Sequence, residues 1–89
     1  MAKKVTITVT DPVGLYATPA TELVDNMKLY DSDIKLTYES KTVNMKSLMG
    51  VLSLGIPTKA SIIIEAEGKD EDAAIERATQ LVKELGISD

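Results

Sequence analysis

Between Val5 and Leu85 the spacing of apolar residues switches from two to about 3.6 and back, and the order of those switches leaves few folds open. Val5, Ile7 and Val9 alternate with Thr6, Thr8 and Thr10, the pattern of a half-buried strand rich in β-branched residues. Asp11-Pro12-Val13-Gly14 breaks it. Ala20, Leu23, Val24 and Met27 then recur at helical spacing along one face. Pro19 suits a first helical turn, where its missing N–H costs nothing, and Thr18 just before it is the expected N-cap. Asp31 and Asp33 are read as turn residues after this helix.

Alternation returns at Ile34, Leu36 and Tyr38. It continues past Glu39-Ser40 into Thr42-Val43-Asn44, a hairpin without an Asn-Gly turn. Ser47 caps a short apolar helix that Gly55 stops, with Pro57 beyond. Ala60, Ile62, Ile64 and Ala66 make a fourth strand. The last helix has the clearest signal. Asp70, Glu71 and Asp72 complement the positive end of its dipole as a solvated helix start. Ala74, Ile75, Ala78, Leu81, Val82 and Leu85 form its buried stripe, and Gly86 closes it.

The order is therefore βαββαβα within one domain over residues 1–89. Alternating strands need cover on one face only, and three one-sided helices supply it, so a two-layer α+β sandwich with an antiparallel sheet is expected. Phe and Trp are absent, so the core must be built from Val, Ile, Leu, Met and Ala. The absence of Cys and His excludes disulfides, thiolate chemistry, imidazole catalysis and zinc sites built on those ligands. No run resembles a calcium loop, and no cofactor motif is present. A formal charge of −4, with no basic stripe interleaved with aromatics, argues against nucleic-acid binding. No stretch has the length and apolarity of a signal peptide or membrane span, and a cytoplasmic location is expected.

Two motifs are more specific than the periodicity. Gly14-Leu15-Tyr16-Ala17-Thr18-Pro19-Ala20 is similar to the active-site segment of the HPr phosphocarriers of bacterial sugar phosphotransferase systems, Gly-Ile/Leu-His-Ala-Arg-Pro-Ala. Asn44-Met45-Lys46-Ser47-Leu48-Met49-Gly50-Val51-Leu52-Ser53-Leu54-Gly55 resembles, almost residue for residue, the regulatory-serine segment of HPr from low-GC Gram-positive bacteria and mollicutes. The resemblance spans nearly the whole chain. It implies an HPr-like open-faced sandwich with sheet order 1-4-2-3 and two phosphate sites.

In that family enzyme I passes phosphate from phosphoenolpyruvate to the histidine, which hands it to a IIA domain. Imidazole suits the task because it both accepts and releases a phosphoryl group near neutral pH. Here Tyr16 stands at the histidine position and Thr18 at that of the neighbouring arginine. Phenols are almost wholly protonated at neutral pH, and their phosphate esters transfer onward poorly. One hydroxyl at Thr18 also replaces a charged, two-pronged donor. The site thus reads as degenerate, with Tyr16 a partly exposed loop aromatic.

At the second segment the resemblance implies that Ser47 is the residue modified by the HPr kinase/phosphorylase. Helix physics alone accounts for Ser47 as an ordinary N-cap, and both readings stand at this point. Lys46, next to it, is expected to sit beside a phosphate there and to take part in partner binding. The resemblance further implies a partner-docking patch at Leu48, Met49 and Leu52, while Val51 and Leu54 are assigned to the core.

The leading functional reading is a regulatory HPr-like protein of the phosphotransferase network, akin in kind to the catabolite-repression HPr-like proteins of Crh type. Its partners would be the kinase/phosphorylase and the catabolite control repressor. Those proteins keep the arginine that Thr18 replaces, which weakens the expectation for the repressor. The alternative is a phosphocarrier relaying phosphate from enzyme I to IIA domains. A third reading, a small-molecule-binding module, would need a cluster of polar residues to line a pocket, and the sequence shows none.

Overall fold

The computed structural model describes residues 2–88. Its elements follow the expected order: β1 (Lys3–Thr8), α1 (Ala17–Met27), β2 (Asp33–Tyr38), β3 (Lys41–Asn44), α2 (Leu48–Ser53), β4 (Ser61–Glu67) and α3 (Glu71–Glu84). The strands form one antiparallel sheet in the order β1-β4-β2-β3, as the resemblance implied.

Register turns the alternation into a two-sided sheet. Val5 lies opposite Ile64, Ile64 opposite Leu36, and Leu36 opposite Val43. This row faces the helices. The next row, Thr6-Ile63-Thr37-Thr42, faces away, and the hydroxyls of Thr37 and Thr42 lie 2.9 Å apart. Lys4-Glu65-Lys35 continues that outer face with alternating charge, a favourable cross-strand arrangement.

The inward strand residues join Ala20, Leu23, Val24 and Met27 of α1 and Ala74, Ile75, Ala78, Leu81 and Val82 of α3 in a single buried cluster. Each large aliphatic buried there contributes about 1.5–3 kcal/mol of apolar transfer. Leu85, predicted as the end of the α3 stripe, is the C-cap and only half-buried against the cluster. Gly86 follows it in the left-handed region at φ +74, which ends the helix as expected.

Two expectations change, for Asp33 and for the acidic residues heading α3, and the hairpin turn adds a detail. Asp33 is the first residue of β2, opposite Glu67, rather than part of the turn. The hairpin turn places Glu39 at φ +56, so a residue with a Cβ occupies a position where glycine or asparagine is usual. The acidic residues heading α3 are not one solvated cluster. The carboxylate of Asp70 accepts the N–H groups of Asp31 (2.8 Å) and Ser32 (2.9 Å) and the hydroxyl of Ser32, which is buried. The Ser32 hydroxyl first, and then the Asp31 N–H, hold the Asp70 carboxyl below its ordinary value. Asp70 therefore ties the α1–β2 and β4–α3 loops together. Glu71 accepts the Gly68 N–H at 3.2 Å, and Asp72 pairs with Lys3 at 3.4 Å.

Candidate functional site

The segment before α1 is held by backbone bonds from two distant places. Thr10 and Asp11 donate their N–H groups to the Ile87 carbonyl at 2.8 and 3.3 Å, and Leu15 donates to the Ile56 carbonyl at 3.0 Å. Gly14 sits at φ +86, and a Cβ built there would lie 2.5 Å from the Ile56 oxygen. The two loops approach that closely because residue 14 is glycine. Asp11 shapes the bend, accepting the Val13 N–H at its Oδ1 (2.8 Å) and the Gly14 N–H at its carbonyl (2.9 Å).

α1 then starts two residues earlier than the Thr18 cap requires. Tyr16 is the N-cap, with extended backbone at φ −114 and ψ −178, and its carbonyl accepts the Ala20 N–H at 3.0 Å. Its side chain makes no capping bond. Thr18 is an exposed residue of the first turn, so its predicted capping role is corrected. The physical reason is Tyr16's extended backbone, which already turns the chain into the helix. Pro19 falls at the third helical position, still among the N–H groups with no intrahelical acceptor. Tyr16 is 43% exposed.

Ser47 caps α2 as predicted. Its backbone is extended at φ −110 and ψ 112, its Oγ accepts the Gly50 N–H at 3.2 Å, and its carbonyl accepts the Val51 N–H at 3.0 Å. Asn44 sets up the approach, accepting the Lys46 N–H at Oδ1 (2.9 Å) and the Ser47 N–H at its carbonyl (3.0 Å). The Lys46 side chain turns away from this cap, and its Nζ donates to the Tyr30 carbonyl at 2.7 Å. Of the apolar residues around Ser47, Met45, Val51 and Leu54 are buried, while Met49 is 83% and Leu52 38% exposed. Leu48, expected on the surface patch, is instead half-buried and packed against the core. The face that α2 presents to solvent is thus narrower than predicted and centres on Met49 and Leu52.

The two candidate positions are not brought together. Leu15, at the head of α1, bonds to Ile56 just beyond α2, whereas Lys46, at the head of α2, bonds to Tyr30 just beyond α1. The two helices pack against each other in opposite directions. Tyr16 and Ser47 therefore lie at opposite ends of the pair.

Some of these contacts left a trace in the sequence and others did not. Gly50 lies inside a six-residue helix, where glycine costs about 1 kcal/mol relative to alanine, and that cost signals a packing reason. A Cβ on Gly50 would stand 3.3 Å from the Ser47 Oγ and 3.5 Å from the Val43 Cβ. The Ile56 and Ile87 carbonyls and the Lys46–Tyr30 bond have no such signal, because a backbone acceptor looks the same in every residue.

Two open clefts flank the hairpin, of about 290 Å³ and 310 Å³. The first is lined by Asp33, Lys35, Thr42, Asn44 and Lys46 among others, and the second by Tyr38, Lys41 and Gly55 among others. The fold gathers polar linings that the linear sequence does not show as a cluster, but neither cleft includes Tyr16, Thr18 or Ser47. Among the described residues no helix is long and apolar enough to cross a membrane.

A family model described as the PTS HPr component phosphorylation site matches residues 3–84. Solved structures agree over nearly the full length. The histidine-containing phosphocarrier protein of a Mycoplasma is 34% identical with a TM-score of 0.95, covering 97% of this chain and 98% of that one. HPr-C-His from Thermoanaerobacter tengcongensis is 34% identical with a TM-score of 0.89, covering 98% of each chain. Crh, the catabolite repression protein of Bacillus subtilis, is 35% identical with a TM-score of 0.73, covering 89% of this chain and 91% of that one.

Proposed function

The chain belongs to the HPr family, whose members are phosphocarriers rather than enzymes, and from that premise we propose that it is a regulatory member, modified at Ser47 and carrying no phosphate at position 16. Its setting is a bacterial sugar phosphotransferase system in the cytoplasm, and the chain acts there as a single HPr-like domain. Its partner is the kinase/phosphorylase that recognises the α2 segment, with the catabolite control repressor as the reader of the modified form.

The observation that carries the reading is the residue heading α1. In the family's own terms this position holds the histidine that accepts and surrenders phosphate. Here it holds Tyr16, and the chain has no histidine at all. A phenol lacks a neutral-pH lone pair of imidazole's basicity, and no side-chain base is bonded to Tyr16 in the segment. Thr18 brings no positive charge to offset the phosphate.

Ser47 has the opposite profile. It is half-buried, its hydroxyl accepts the Gly50 N–H, and exposed Met49 and Leu52 follow it on α2. Lys46 is engaged with Tyr30, so it acts by fixing the α2 segment against α1 rather than by neutralising a phosphate on Ser47. Leu48 supports the surface from beneath, while Met49 and Leu52 meet the partner.

Two reactions test this. The protein is incubated with enzyme I and phosphoenolpyruvate, and separately with the HPr kinase and ATP, and the intact mass is measured after each. No gain in the first and one phosphate mapped to Ser47 in the second are expected. Phosphate acquired from enzyme I and passed to a IIA domain would establish the carrier alternative instead.

A further inference from the structure

Hydroperoxides find few targets in this protein. There is no cysteine and no tryptophan, so the thioethers of its four methionines are its most readily oxidised groups. Met27 and Met45 are 0% exposed within the core, while Met49 is 83% exposed. Met1 lies outside the described residues. Met49 is two residues past Ser47 and three before Leu52, and the i, i+3 spacing puts Met49 and Leu52 side by side on α2.

We propose that Met49 is a site of reversible oxidation by hydroperoxides, and that the modification turns the α2 surface from apolar to polar. The thioether sulfur attacks the terminal oxygen of the hydroperoxide and the O–O bond breaks. The sulfur loses two electrons and keeps that oxygen as a sulfoxide, while its proton passes to the other oxygen, which leaves as water or an alcohol. Methionine sulfoxide reductases reverse the step. The buried methionines react only when the core opens, so their rate is limited by unfolding, whereas Met49 needs no conformational change. Because Met49 makes no core contact, its oxidation leaves the fold intact.

The functional consequence rests on the reading of α2 as the docking surface. A sulfoxide oxygen buried in an interface without a donor opposite it is strongly unfavourable, so partners built for a thioether lose affinity.

Trypsin separates the four methionines, since cleavage after lysine places Met1 in residues 1–3, Met27 in residues 5–28, Met45 in residues 42–46 and Met49 in residues 47–59. The folded protein is treated with hydrogen peroxide and the oxygen content of each peptide is followed over time. The peptide 47–59 should gain one oxygen roughly tenfold faster or more than 5–28 and 42–46, with circular dichroism unchanged. In urea the three rates should converge. Met49→Leu should abolish the fast step.

Phosphorylation of Ser47 by the HPr kinase is then compared before oxidation, after it, and after treatment with sulfoxide reductases. A slowing of about tenfold, reversed by the reductases, is expected. In Met49→Leu the ratio of peroxide-treated to untreated rates should be one. Equal oxidation of Met27, Met45 and Met49 in the folded protein would overturn the site. An undiminished phosphorylation rate in oxidised protein would overturn the docking consequence while leaving the Ser47 reading standing. A reduced protein that takes no phosphate would refute the Ser47 reading and the docking consequence with it, and the peptide map would still decide the oxidation site independently.

Discussion

Replacing Ser47 removes two things at once, a helix cap and a phosphate acceptor, and a short series of substitutions separates them. In the structure the Ser47 Oγ accepts the Gly50 N–H at 3.2 Å, towards the long end of the hydrogen-bond range. N-cap serine to alanine costs about 0.5–2 kcal/mol, and a bond this long places Ser47→Ala in the lower half, at about 1 kcal/mol. For a domain of this size each kcal/mol lowers Tm by roughly 4–8 °C, so a fall of about 5 °C is expected. Asparagine caps as well as serine but offers no hydroxyl, so Ser47→Asn should stay within a few tenths of a kcal/mol of the parent. Glycine should fall between them. Urea denaturation at constant m-value and thermal melts by circular dichroism read the stabilities, and intact mass after kinase and ATP reads the modification. All three variants should refuse phosphate, while alanine shows the largest loss of stability. The capping argument fails if alanine melts with the parent, or if asparagine falls as far as alanine. Phosphate appearing elsewhere on Ser47→Asn would instead undo the assignment of the acceptor.

Three further outcomes follow from the same geometry. The double substitution Tyr16→His with Thr18→Arg should let enzyme I load the protein from phosphoenolpyruvate, since the loop preceding α1 is already held by the Ile56 and Ile87 carbonyls; no mass gain would count against a carrier scaffold. Gly14→Ala should cost roughly 2–4 kcal/mol in urea denaturation, because the left-handed backbone alone costs about 1–2 kcal/mol and the new Cβ would meet the Ile56 oxygen; a loss below about 1 kcal/mol would mean that the loop yields. Asp70→Asn should destabilise the fold near neutral pH and flatten its acid limb. The folded-state carboxyl is the stronger acid, so on acidification the unfolded chain takes up the proton first. The parent's advantage is therefore complete above the ordinary carboxylate range and shrinks as pH falls through the lower folded value. A parent-minus-variant gap that stays constant down through that range would contradict the Asp70–Ser32 tie.

How much of this could be read from sequence depended on whether an interaction repeats along the chain. The rows Val5-Ile64-Leu36-Val43 and Thr6-Ile63-Thr37-Thr42 follow from alternation, and the α1 and α3 stripes from helical spacing, because each buried position is announced by its neighbours. Single contacts between distant segments have no such announcement. Asp70 reads as a helix-start acid, and only the fold shows its carboxylate spent on Asp31 and Ser32. Thr18 and Tyr16 differ as caps by whether residues 17 and 18 are already helical, which the Thr-Pro pair does not reveal. Leu48, Met49 and Leu52 look alike as letters in an apolar run. Their separation into one supporting and two exposed residues depends on how α2 is rotated against the core, which Met45, Val51 and Leu54 decide.

That rotation also bears on why position 16 and α2 can have different fates in one chain. The α2 surface is held from below by Val51 and Leu54, at its head by Asn44 and the Lys46–Tyr30 bond, and at its tail by Gly55 at φ +58. None of these supports uses the Tyr16 side chain, which makes no capping bond and sits by the tail of α2, at the end of the helix pair opposite Ser47. Substitutions well separated in a structure contribute independently to stability, so a phenol in place of an imidazole there need not disturb Ser47, at the opposite end of the pair. A chain of this fold can lose the chemistry at the head of α1 and retain the serine that caps α2. The same separation makes the two tests independent: the double substitution at 16 and 18 should leave the rate of Ser47 phosphorylation within a factor of about two. A larger change would show that the two ends of the helix pair communicate through α1.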